Sequence, residues 1–483
     1  MNIVMIMSDE HSYQAMGCSG HPIVQTPALD RLASEGATFT NCYTPCPLCV
    51  PARASAFTGY FVNQLGTWDN ATPYDGRVKG LSELVTEQGY DEFTGVGKNH
   101  FHPKGTYPGL KDHGLGEYDT KPDLSGLFRR RDIPRPTGKS RFEKIKPREL
   151  ESEDEKVLYF VLDWLERKEK KSPPWVLYVG FTQPHFPFFY QQKYWDDYDK
   201  LVSDIPQVAK PPFDELIEPL RVLQRHFSGD QIDTETIRKA HVGYYSLIGE
   251  LDQYVGQILD MLERRGIAED TFVIYTSDHG EQLGHHGLWW KCCMYEESVH
   301  IPFLIKGPGI PGGIQINDYV SLTDLSPTIC DSLGIPVPHG LQGASLLPLI
   351  KGDTRSYPRD FAFSEYHAHG MPTGMFMIRW QQWKYIHYVG TEGQLFNIED
   401  DPEEMNNLFP AAGDNPQIQA AIAECQKRLY QICDPDEVSR RAFQFQTRML
   451  QATGLKNVVD FDERINAFFP EYQASVLKRE IKG

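Results

Sequence analysis

The chain opens on an unbroken apolar run, Ile3 to Met7, that gives way abruptly to Ser8-Asp9-Glu10-His11. A run without polar alternation predicts a strand buried on both faces, as in a parallel sheet, and the polar corner after it is where such sheets collect ligands. Trp175 to Phe181 and Thr271 to Thr276 repeat the pattern, each ending in polar residues. Elsewhere the apolar positions switch to helical spacing. Pro27 to Glu35 reads as a helix stopped by Gly36, and Gly80 to Gln88 as another stopped by Gly89. The amphipathic segment Ile237 to Arg265 reads as a long helix. Strands alternating with helices predict an α/β fold with a large, mainly parallel sheet flanked by helices.

Past the turn-rich stretch around Gly352 to Pro358 the texture changes. Phe361 to Tyr366, Met375 to Arg379, Trp383 to Tyr388 and Gln394 to Ile398 are short, closely spaced strand candidates, followed by a helical run from Gln417 to Cys433. This predicts a small antiparallel sheet with a helix, then a tail. The expected division is a catalytic domain over residues 1–355 and a small C-terminal α+β subdomain and tail over 356–483. The polar segment Lys121 to Pro147 reads as an inserted loop, and its Arg129-Arg130-Arg131 run as a solvated face.

With 483 residues, 40% of them hydrophobic, the chain can bury a large core. Its net charge of −18 argues against a nucleic-acid binder, which needs clustered Lys and Arg to displace counterions. An anionic substrate therefore needs a local cationic pocket. No stretch approaches the roughly 18 apolar residues of a membrane span, and the start has no charged leader pattern, so the expectation is a cytoplasmic protein without membrane partners. Nine cysteines, an odd number in a large chain, suit a reducing compartment better than a disulfide framework.

The informative string is Cys49-Val50-Pro51-Ala52-Arg53, continuing to Thr58-Gly59. A Cys just ahead of Pro51 at a helix start is placed where free backbone N–H groups favour a developing anion. Arg53, one turn in, carries a fixed charge suited to an oxyanion. Cys46 and Cys49 also form a Cys-x-x-Cys, but the thioredoxin-like context of a redox dithiol is absent. A zinc site would need a second ligand pair, which the adjacent Cys292 and Cys293 do not supply with ordinary spacing. A buried structural cysteine is the remaining alternative.

Cys-x-Pro-x-Arg followed by Thr-Gly resembles the signature of the sulfatase family, within the alkaline-phosphatase-like superfamily. Ala52 stands where most members have Ser, and the Pro-Ala-Arg form is similar to the choline-sulfatase and phosphonate monoester hydrolase branches. Asp69-Asn70-Ala71, Gly97-Lys98-Asn99-His100-Phe101, Thr182-Gln183-Pro184-His185, Ser277-Asp278-His279-Gly280, Gly287 to Lys291, and Glu365-Tyr366 through Met377-Ile378-Arg379 resemble choline-sulfatase-type segments in the expected order.

The resemblance implies that Cys49 is oxidised to formylglycine by a maturation enzyme. One hydroxyl of the hydrated aldehyde would attack sulfur and expel the alcohol, and the other would let sulfate leave as the aldehyde reforms. It implies one divalent metal on Asp9, Glu10, residue 49, Asp278 and His279, with calcium first and manganese or magnesium open because of the imidazole. Arg53, Lys98, His100, His185 and Lys291 match the sulfate and formylglycine contacts, with His185 or Lys291 facing the leaving oxygen as general acid. Asn70 and Glu365 are implied near the leaving group. His11, His102, His285 and His286 match no such role. The implied substrate is a sulfate ester of a small organic molecule or sugar. A phosphonate monoester or phosphodiester hydrolase using the same site is the alternative, and an inactive metal-binding relative the third. The resemblance leaves room for a homo-oligomer.

Overall fold

The computed structural model of the chain describes residues 1–90, 92–103, 105–114, 127, 141–202, 208, 210–229 and 232–454. Residues 121–126 and 128–140 of the expected inserted loop, including its arginine run, lie outside them. In chain order the strands are β1 (Asn2–Asp9), β2 (Ala37–Tyr43), β3 (Phe93–Gly97), β4 (Leu110–Asp112), β5 (Lys146–Pro147), β6 (Val176–Pro184), β7 (Phe189–Tyr190), β8 (Thr271–Ser277), β9 (Phe303–Lys306) and β10 (Ile314–Ser321). They are followed by β11 (Phe361–Tyr366), β12 (Met375–Trp380), β13 (Trp383–Tyr388) and β14 (Gln394–Asn397). The main helices are α1 (Pro27–Glu35), α2 (Cys49–Thr58), α3 (Leu81–Glu87), α4 (Glu153–Glu166), α5 (Thr234–Arg264), α6 (Leu325–Ser332), α7 (Pro416–Ile432) and α8 (Pro435–Thr453).

Eight strands form the large sheet, in the order β10-β2-β9-β8-β1-β6-β3-β4, with only β9 antiparallel to its neighbours. β1 lies at its centre, and the alternation of its side chains divides the core in two. Ile3, Met5 and Met7 pack on one face with α2, α3 and α6. Val4 and Ile6 pack on the other with α1, α4 and the C-terminal half of α5. Burial on both faces is why the run is apolar throughout. The helix at Pro27–Glu35 and the long helix lie where their patterns place them. The expected mainly parallel sheet flanked by helices is the fold.

β11 to β14 form the separate antiparallel sheet, in sequence order. A third core joins it to α7, α8 and the N-terminal half of α5. One expectation is corrected here: the segment after Cys433 begins as a 19-residue helix rather than a tail. Asp434 caps it, accepting from Asp436 N and Glu437 N, and Val438, Ala442, Phe445 and Met449 are buried along one stripe. No helix among the described residues is long and apolar enough to cross a membrane.

Candidate active site

Register builds the site. Ser8 of β1 pairs with Ser277 of β8, so the next residues, Asp9 and Asp278, emerge side by side at the C-terminal edge of the sheet. On the other flank Met7 pairs with Gly180 and Gly180 with Gly97, which brings Lys98 alongside. That junction needs glycine: Lys98 N donates to Gly180 O at 2.8 Å, and a Cβ on Gly97 would meet the same oxygen at 2.1 Å. Cys49 is the first residue of α2, whose start is tied down by Asn70 Oδ1 accepting from Val50 N at 3.2 Å. Glu10, His100, Trp290 and Cys292 all take positive φ (70°, 59°, 65° and 79°), a strain that non-glycine residues carry where surroundings over-determine them, often at functional sites.

Asp9, Cys49, Asp278 and His279 each present one ligand atom, all within 4.8 Å of one another, and none is more than 2% exposed. Cys49 Sγ lies 3.2 Å from His279 Nε2 and 3.7 Å from Asp9 Oδ1. Arg53 sits beneath with all five N–H groups engaged: Nε on Asp278, Nη2 on Asp9 and Ser8 O, Nη1 on Lys98 O and the Tyr178 hydroxyl. Lys98 Nζ adds a contact to Asp9 Oδ2 at 2.8 Å. The two carboxylates diverge accordingly. Burial alone would raise Asp9, but Lys98, His185, Arg53 and His279 hold it well below the usual carboxylate range. Asp278, without the lysine contact, is pushed up to about 7 by burial despite Arg53. Burial likewise raises the Cys49 thiol.

A cavity of about 670 Å³ opens over this cluster, lined by Cys49, Asn70, Lys98, His100, His185 and Lys291 among others. Lys291 Nζ donates to His185 Nε2 at 2.6 Å and lies 3.3 Å from Glu10 Oε1. Burial and Lys291 together hold His185 well below its ordinary value. Burial works against the Lys291 ammonium, yet Cys49, Glu10 and Asp9 hold its pKa above the ordinary lysine value. Glu10, expected among the ligands, faces the lysine–histidine pair; it lies outside the four-residue cluster but groups with Asp9 and His185 in a second set of side chains able to hold a cation. Glu365 does not reach the cavity: fully buried on β11, it accepts from Asn63 N and Nδ2, both at 2.8 Å, and from His367.

Sequence reasoning assigned no role of their own to three contributors. Tyr178 was visible as a lone phenol in an apolar strand. Glu281, the last acid of the cluster after β8, accepts from Leu283 N and Trp290 N, both at 2.7 Å, and so closes the loop that delivers Lys291. Arg141, on the cavity wall, carried no local signal.

The sulfatase family model matches residues 1–335, and that of the N-sulphoglucosamine sulphohydrolase C-terminal region matches residues 284–434. The chain belongs to the sulfatase family. It is a sulfate ester hydrolase. The choline-sulfatase of Rhizobium meliloti is 30% identical to this sulfatase over 425 residues, spanning 84% of this chain and 82% of that protein. Arylsulfatase K of Bos taurus is 29% identical over 471 residues, 92% of this chain and 84% of its own length. Among solved structures, BT4656 in complex with its substrate D-glucosamine-2-N,6-O-disulfate superimposes with a TM-score of 0.73 at 24% identity, covering 90% of this chain and 99% of that one. The phosphonate monoester hydrolase of Agrobacterium radiobacter gives 0.72 at 23%, covering 89% and 95%. These two share the fold.

Proposed function

We propose that this sulfatase hydrolyses a sulfate monoester of a small organic molecule or sugar, with formylglycine made from Cys49 as nucleophile and one divalent metal on Asp9, Asp278, His279 and residue 49. The observation that carries this is the convergence of those four side chains from three separate segments in a buried cluster beneath a cavity lined there by Lys98 and Lys291. The donor set fits a hard cation: two carboxylates supply oxygen, which favours calcium, and the single imidazole leaves manganese or magnesium open. The metal would neutralise negative charge on the sulfate oxygens and on the attacking oxygen. Formylglycine, once formed and hydrated, would supply two hydroxyls, one to displace the alcohol and one to release sulfate as the aldehyde reforms.

The remaining work falls to the chain's own groups. Lys98 and Lys291 line the cavity over the nucleophile and would oppose the charge of the sulfate oxygens, with His100 beside them. Arg53, its donors all spent within the protein, holds Asp9 and Asp278 in place rather than reaching the ester. Lys291 bears the proton shared with His185, and that pair faces the departing alcohol as the acid. Asn70 anchors the start of α2 under the nucleophile.

The test is a mass measurement joined to kinetics. Protein expressed with a maturation enzyme should contain a Cys49 peptide in which CH2SH has become CHO, and turnover of aryl, choline and sugar sulfates should track that fraction. Near-normal turnover by Cys49→Ala, with its fold verified by circular dichroism, would defeat the mechanism. A phosphonate monoester preferred over every sulfate in the same panel would shift the substrate class while leaving the nucleophile.

A further inference from the structure

The cavity wall beside His185 and Lys291 is aromatic. Phe186 and Trp290 lie with ring centroids 5.1 Å apart at 57°, and Phe227 and Trp290 5.0 Å apart at 72°. His185 stacks on Phe186 at 4.1 Å, and Lys291 Nζ is 5.0 Å from the centroid of the same ring. The three rings therefore border the groups assigned above to the departing alcohol. Ring faces inclined in this way make a box for a cation, and most of all for a quaternary ammonium, which has no hydrogen-bond donor to satisfy.

The box already holds a cation of the chain's own. The guanidinium carbon of Arg141 lies 3.9 Å from the Phe186 centroid, 4.5 Å from that of Trp290 and 6.0 Å from that of Phe227. All four side chains line the cavity. A positively charged alcohol entering here would have to displace Arg141 or sit against it, and like charges in contact repel strongly where water is scarce. An uncharged alcohol meets no such penalty and can lie against the same rings and the flat guanidinium.

We propose that Arg141 is a specificity-determining residue: by filling the Phe186–Trp290–Phe227 box it bars quaternary ammonium alcohols and directs the enzyme to sulfate esters whose alcohol carries no positive charge. This rests on the sulfate-ester reading for its kinetic meaning, while the box and its occupant stand on geometry alone.

The experiment compares the full-length protein with Arg141→Ala and Arg141→Met, the second keeping most of the side-chain volume in case the first folds poorly. In matured enzyme, the ratio of kcat/KM for choline sulfate to that for 4-nitrophenyl sulfate should rise about tenfold or more in both variants. In a second arm, independent of maturation and turnover, calorimetric titration with tetramethylammonium should show affinity raised by a similar factor. Adding Trp290→Leu should cancel that gain. If no ester is turned over by any form while tetramethylammonium binding still improves, the sulfate-ester mechanism fails and the box assignment holds. If esters are hydrolysed but neither the ratio nor the ammonium affinity moves in Arg141→Met, the proposal is overturned.

Discussion

Arg53 donates from Nε to Asp278 Oδ2 at 2.8 Å, and the same guanidinium reaches Asp9 Oδ2 through Nη2 at 3.1 Å. One cation thus sits between two fully buried carboxylates delivered by adjacent strand ends. Removing it leaves Asp278 without its ion-pair partner and Asp9 with Lys98 alone, a loss of about 3–5 kcal/mol in comparable buried pairs. Arg53→Ala should lower stability by that order. Arg53→Lys should lower it less but still impair turnover, because an ammonium is a point donor and not a fork. Urea unfolding of both variants checks this, and an unchanged midpoint for Arg53→Ala would remove the bridging role.

Metal dependence follows from the four-residue cluster. Chelation should abolish turnover and restoring calcium should return it, with manganese and magnesium as comparison ions. Asp278→Ala should reduce bound metal, measured by mass spectrometry of the purified protein, and cut turnover about a hundredfold or more. Normal metal content in that variant would mean the ion is held elsewhere.

Glu281 supplies a test of positioning. Its Oε1 receives both Leu283 N and Trp290 N, and Lys291 follows directly. Glu281→Ala should let the loop relax and move Lys291 away from His185, lowering kcat by about 10²-fold, the scale of an ångström-sized misplacement. Glu281→Gln keeps an acceptor oxygen and should retain most of the rate. Equal losses in the two variants would point to the charge of Glu281 and not to its hydrogen bonds.

Acid stability has a source outside the metal cluster. His241, buried in α5, contacts the Tyr245 hydroxyl and Leu283 O, and burial followed by the nearby His285 holds its pKa down to about 3. An unfolded histidine titrates near 6.5. The depressed value means the folded state holds His241 neutral, so its contribution is complete above about 6.5 and is lost as pH falls toward 3. Over that window unfolding takes up one proton, a slope of about 1.4 kcal/mol per pH unit. His241→Gln should flatten the fall in stability between pH 6 and pH 4 by that amount. Parallel slopes for the two proteins, read from urea midpoints, would remove the assignment.

The parts of the fold that were legible in sequence are those whose local pattern matches their final environment. β1, buried on both faces, and α1, ended at Gly36, read correctly because nothing distant contradicts them. β11 and β13 have the bounds expected of them, set by turns. β2, whose Thr38-Phe39-Thr40 alternation is strand-like but short, was not singled out, and β3, with two glycines in five residues, lacks the strand signature, since its place depends on neighbours supplied by pairing. α8 escaped notice because its buried stripe mixes the polar Ser439 and Gln446 with its apolar residues. The same distinction holds at the site. Strand-end acids and the Cys49 motif were visible, whereas the employment of Arg53 between two carboxylates follows from strand order, which no single segment encodes. Glu365 lies in a segment that resembled a site, but its strand turns the side chain toward Asn63.

Cys49 is 2% exposed, and the residues that surround it come from segments far apart in sequence: Asp9 from the first strand, His279 and Lys291 from beyond β8. A second enzyme can oxidise a thiol only by taking it into its own active site, which the finished fold does not permit. Under the proposed chemistry, modification and folding are therefore competing events in time, and the contest closes once β8 docks beside β1. Chains that lose this race should be well folded, long-lived and silent. The specific activity of any preparation then reports how crowded the maturation step was during synthesis, and no reagent enzyme added to the finished protein will raise it.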